Sequence, residues 1–137
     1  MEGKPRPSDN WPAGVNRFWV QAHDSLRGEN WDAAAVMARS ALQFVMREKG
    51  ATRGTLKSQV DDLGTKGVLH PLMADWSHEV RELGNDAAHP EPDALATGPQ
   101  DAKDIVNFLD FLLFYLYDLP KQIGEYRKRN SPAAATT

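Results

Sequence analysis

Cysteine is absent from this chain of 137 residues. That excludes disulfide staples, thiol nucleophiles and every cysteine-based zinc or iron–sulfur site, and it leaves nothing that asks for an oxidising compartment. Isoleucine occurs only at Ile105 and Ile123, and no segment alternates polar and apolar residues as a half-buried strand would. Long hydrophobic runs are missing too. The longest apolar stretch, 105–119, has 15 residues and is interrupted by Asn107, Asp110 and Asp118, too short and too polar for a bilayer span. Residues 1–12 carry Lys4 and Arg6 with no apolar run behind them, so they do not read as a signal peptide. The expected location is the cytoplasm, with no membrane contact. An excess of basic charge is also lacking: 16 Lys and Arg against 19 Asp and Glu give a net charge of -3 and a pI near 5.8. The molecule as a whole does not attract nucleic acid, so any RNA site must be local.

What is present is an ordinary globular balance, 41% hydrophobic and 26% charged, in a length that suits one domain. The pattern is helical from end to end, giving an all-α bundle of about five helices. Residues 1–12, rich in proline, are expected to be a flexible N-terminal segment. Residues 13–129 form the single domain, and 130–137 a disordered, small-residue tail. Val15, Phe18, Trp19, Ala22 and Leu26 have helical spacing over 13–27. A second helix starts after Asn30 and stops at Gly50, where a glycine at C′ ends a helix. A third runs from Thr55 to about Leu63. A fourth spans 71–88, opening on Pro71 and closed by Pro90. The last begins near Asp101 and is long, with Pro120 expected to kink or divide it because its nitrogen cannot donate to the Leu116 carbonyl.

The fourth helix concentrates the chemistry. On an unbroken helix Leu69, Leu72, Trp76, Val80, Leu83 and Ala87 occupy one arc of roughly 60–80°. His78, Arg81, Asn85 and His89 fall on a similar arc nearly opposite, facing solvent or a partner. The run from Val80 to His89, with Arg81, Gly84-Asn85 and Ala88-His89, resembles the Arg…Gly-Asn…Ala-His signature of a bacterial branch of the HEPN superfamily. Residues 34–50, with Arg39 and Gln43, are similar to the second motif helix of that branch, and the aromatic last helix also fits. The resemblance extends over about 11–129.

The resemblance implies a small all-α bundle that dimerises through the motif-bearing faces, and in many members a metal-independent endoribonuclease of toxin–antitoxin or phage-defence type. Arg81, Asn85 and His89 would then be catalytic. His89 would take the proton of an RNA 2′-hydroxyl, Arg81 would stabilise charge on the phosphate, and Asn85 would orient either one. No cofactor is required; RNA and an antitoxin or other protein would be the partners. Other HEPN domains are non-catalytic, and the alternative reading is a helical module that dimerises or binds a partner protein or nucleotide. Seven residues separate Arg81 from His89, where the family pattern has about four to six, and Gln43 stands where the family often has Glu.

Each of these residues also has a structural reading. His89 can cap helix-end carbonyls beside Pro90, Arg81 can be a solvated charge among Glu82 and Asp86, and Arg39 can be a buried structural arginine. Asp75-x-x-His78 and Asp86-x-x-His89 have the spacing of di-metal bundle ligands, but both lie in one helical stretch, so the acidic run Asp75, Glu79, Glu82, Asp86 reads as a solvated face. The basic run Arg127–Arg129 suits the end of a helix dipole. Finally, the last helix is apolar on two sides. Ile105, Phe108, Leu109, Leu112, Leu116 and Leu119 make one face, and Phe111, Phe114 and Tyr117 lie on the other, so a homodimer is expected to cover the second.

Overall fold

The computed structural model describes residues 6–84 and 96–130. Within them the chain is all-helical, without strands: α1 (Ala13–Arg27), α2 (Trp31–Glu48), α3 (Leu56–Thr65), α4 (Pro71–Glu79), a 3₁₀ turn (Arg81–Gly84), α5 (Pro99–Leu113), a π-helical segment (Phe114–Asp118) and α6 (Leu119–Arg129). The last three run on as one rod. None of these helices is long and apolar enough to cross a membrane.

The core lies between α1, α2 and α5. Small residues of α2 (Ala34, Ala35, Ala38, Ala41) are buried and let its neighbours approach closely, while Phe108, Leu109 and Leu112 of α5 fill the space opposite with no exposure. Helix ends follow the sequence. Gly50, at φ +107°, closes α2, with Gly50 N–H donating to Arg47 O at 3.1 Å and Ala51 N–H to Met46 O at 2.9 Å. This is a Schellman close, which needs the left-handed backbone that glycine adopts without penalty. Gly67 closes α3 in the same way, its φ +79° allowing Val68 N–H to reach Leu63 O at 2.9 Å.

Two expectations change. The fourth helix does not reach residue 88: α4 stops at Glu79, and Val80 is extended (φ -83°, ψ 105°) before the 3₁₀ turn. Val80 and Leu83 are both buried. Breaking the helix lets both enter the core from a redirected chain, and the 76–80–83 spacing is compatible with either path. At Pro120 the helix does not break off: the preceding turn, Phe114–Asp118, is π-helical and α6 follows it directly, so the α-helical ladder changes just ahead of the residue that lacks an N–H.

The described part of the N-terminal segment is tied down. Ser8 Oγ and Asn10 Nδ2 donate to Asp118 Oδ1 at 2.5 and 2.9 Å, and Trp11 Nε1 donates to Asp118 Oδ2 at 2.9 Å. Burial pushes the Asp118 carboxyl up, but these hydrogen bonds outweigh it and hold the group below the usual carboxylate value. Trp11 packs edge-on against Trp19, whose Nε1 donates to Asp110 Oδ1 at 2.7 Å. Tyr117 also turns inward, its hydroxyl donating to Glu48 Oε1 at 2.6 Å, with Lys49 Nζ 4.5 Å above its ring. Burial first, then that hydrogen bond and the Glu48 charge, push the Tyr117 pKa up.

Candidate functional site

Of the three residues singled out in the sequence, Arg81 is described; Asn85 and His89 lie outside the described residues. Because α4 ends before Arg81, the polar arc of His78 and Arg81 does not form. His78 Nε2 is 3.1 Å from Asp61 Oδ1 on α3, whereas Arg81 turns to α5, its Nη1 donating to Asp101 Oδ2 at 2.5 Å and lying 3.4 Å from Glu82 Oε1. The Arg81 guanidinium thus has two carboxylates beside it, while its side chain is 43% exposed.

Glu82 was expected on a solvated acidic face. It is buried instead, 4% exposed, and Thr97 Oγ1 donates to its Oε2 at 3.3 Å. Thr97 N–H donates to Asp32 Oδ1 at 2.8 Å, which joins the start of α2 to the chain entering α5. Asp32, Glu82, Thr97 and Asp101 therefore fasten the two chain ends that flank residues 85–95, with Arg81 at the rim. A carboxylate such as Glu82 enters a core only when hydrogen-bonded or paired, and both kinds of contact are present. Single-sequence spacing carries no sign of this cluster, because its members come from three separate stretches of chain.

The arrangement can hold a turn in place. A phosphate gripped by Arg81 would sit close to the Asp101 and Glu82 carboxylates, against like charge. Among the described residues no three His, Asp or Glu side chains are placed to hold a metal ion; Asp75 and Glu79 are simply exposed. Arg39 is half-buried and partnered, and Gln43 lines an open groove between α1 and α2 with Phe18, Ser40, Phe44 and Arg47.

Residues 20–129 match the family model described as a domain of unknown function, DUF4145. The chain belongs to the DUF4145 family. The match takes in the whole bundle from within α1 to the end of α6, so the Arg81 cluster and the projecting α6 are both parts of the DUF4145 domain. No curated protein and no solved structure matches the chain.

The second feature of this DUF4145 domain is α6. It has no buried residue, and positions 120–130 are all exposed. Ile123 and Tyr126 are open to solvent, 40% and 60% exposed. With Leu119 they line a shallow groove along one side of the helix; on the other side Leu116, Leu119 and Ile123 adjoin Tyr115 and Val68. The sequence reading had placed the open apolar face at Phe111, Phe114 and Tyr117. Phe111 and Phe114 are indeed exposed, at 49% and 38%, but Trp76 packs edge-on against Phe111 and Tyr117 is held by Glu48. Ile123 and Tyr126 extend the open apolar surface of Phe111 and Phe114 further along the rod.

Proposed function

We propose that this DUF4145 domain is a HEPN-like helical interaction module of the cytoplasm, acting through its surface as a homodimer or on a partner protein rather than by cleaving RNA. The observation that carries this reading is α6, an apolar-striped helix that contributes nothing to its own core. A helix with no buried face gains little from tertiary packing, which supplies most helical stability in folded proteins, so its stripe is best explained by a partner. The state of Arg81 supports the same reading, since two carboxylates, Asp101 and Glu82, stand beside its Nη1.

The second reading is a metal-independent endoribonuclease of toxin–antitoxin or phage-defence type, with Arg81, Asn85 and His89 catalytic. It is favoured by the Arg…Gly-Asn…Ala-His run and by the exposure of Arg81. One assay separates the two. Full-length protein is incubated with RNA in EDTA beside Arg81→Ala and His89→Ala. The module reading expects intact RNA in all three; cleavage by the parent that disappears in both variants overturns it in favour of the nuclease.

A further inference from the structure

Arginines border the apolar stripe of α6 on both sides. Leu119, Ile123 and Tyr126 are spaced four and three apart. They fall within an arc of about 60°, with Arg127 about 40° beyond Ile123 and Arg129 about 60° beyond Tyr126. Arginine also lines both shallow grooves along the helix: Arg129 with Ile123 and Tyr126 in one, and Arg127, the single charged residue, with Val68, Leu116 and Ile123 in the other. Lys121 and Lys128 fall on the far side with Glu125, so α6 carries four basic residues against one acidic in a chain of net charge -3. Among the described residues none of these four cations has an ion pair. The helix dipole favours cations in a last turn whichever way they face; it does not account for arginines lining both apolar grooves.

We infer that α6 docks an acidic amphipathic helix of a different protein, whose apolar residues lie on Ile123 and Tyr126 and whose flanking carboxylates pair with Arg127 and Arg129. The inference rests on the reading of the domain as an interaction module and names the chemistry of its partner. A stripe this narrow, with four–three spacing, is the seam of a helix–helix pair; a helix that lies in a bilayer surface presents a wider apolar face. In such a contact the apolar anchors supply affinity and the charges at the border select the partner. A guanidinium there gains from a carboxylate both opposite charge and a fork of two hydrogen bonds. A second copy of α6 offers these arginines no free carboxylate, because Glu125 falls on the far side of the helix and Asp118 is already held by Ser8, Asn10 and Trp11. Single-stranded nucleic acid would satisfy the arginines, but it would set the aliphatic Leu119 and Ile123, which offer no stacking ring, against a charged backbone.

The test uses a fluorescent helical peptide with leucine at the a and d heptad positions and glutamate at e and g, titrated with the full chain and followed by anisotropy. It is expected to bind, more weakly as salt rises, whereas the same peptide with lysine at e and g is not. Arg127→Glu combined with Arg129→Glu is expected to weaken the acidic peptide by about tenfold or more and to admit the lysine peptide. Ile123→Asp is expected to abolish binding with an unchanged helical circular-dichroism spectrum, because α6 contributes no buried residue. Failure of the acidic peptide to bind overturns the inference, as does equal binding of the two peptides or indifference to the arginine reversal. A parent that sediments at twice 15.2 kDa and returns to single-chain mass in Ile123→Asp also overturns it, since a second copy then covers the stripe. Phosphatidylserine vesicles or an oligoribonucleotide, bound through Arg127 and Arg129 by a chain that ignores the peptide, assign the patch elsewhere and overturn it too. Intact RNA with no peptide binding sinks this inference alone; RNA cleavage lost in Arg81→Ala and His89→Ala sinks the non-catalytic reading and leaves a peptide-binding α6 standing.

Discussion

The two halves of the final rod obey different rules. In α5 seven residues are buried, including Ile105, Phe108, Leu109 and Leu112; in α6, continuous with it, none is. Both segments are amphipathic, so periodicity does not distinguish them. What separates them is whether other helices stand alongside. α5 is enclosed by α1, α2 and the 3₁₀ turn, while α6 rests mainly on the π segment from which it continues. An apolar stripe therefore indicates that something covers a helix, and the fold determines whether the cover belongs to the same chain.

Substitutions can break this contrast, the largest effect coming first. Phe108→Ala removes a fully buried ring from α5 and is expected to cost about 3–5 kcal/mol in denaturant unfolding, from lost transfer energy and the cavity left behind. A cost near that of a surface substitution would contradict the enclosure of α5. Asp118→Asn, at the junction of the two halves, weakens the bonds that hold Ser8, Asn10 and Trp11 and is expected to cost roughly 1–2 kcal/mol. Its pH dependence has a definite sign. The folded carboxyl titrates below its unfolded value, so its contribution is complete above the ordinary carboxylate range, near ~3.9, and is lost as pH falls through the lower folded value. Stability of the parent is thus expected to fall more steeply on acidification than that of Asp118→Asn; parallel profiles would dismiss the clamp. Last, Ile123→Ala on exposed α6 is expected to change unfolding by no more than about 0.5 kcal/mol in dilute protein. A loss comparable to that of Phe108→Ala would mean that α6 packs on its own bundle.

Local signals in the sequence were sufficient for much of the fold. Gly50 and Gly67 stop helices because the backbone there needs positive φ, and Pro71 starts one because its missing N–H is not needed at that position. Thr55 accepts from Ser58 N–H at 3.1 Å, as an N-cap should. These features depend on neighbours in the chain. The end of α4 does not. Val80, Leu83 and Ala87 keep helical spacing, yet the chain turns extended at Val80, and on the redirected path Val80, Leu83 and Glu82 are all buried. For the candidate site the divide is sharper. Arg81 is conspicuous in the sequence, but its pairing with Asp101, twenty positions away, is invisible there.

By itself the sequence determined an all-α chain without disulfides, the positions of most helix ends, and a run resembling the HEPN signature, because composition, caps and periodicity act over a few residues. Only the tertiary structure decided that Glu82 is buried, that Arg81 has two carboxylates beside it, that Ser8 to Trp11 clasp Asp118, that Tyr117 turns to Glu48, and that Ile123 and Tyr126 stay open beyond the exposed Phe111 and Phe114. Burial and ion pairing belong to whichever elements pack together, and neighbours distant along the chain leave no local mark on each other's sequence.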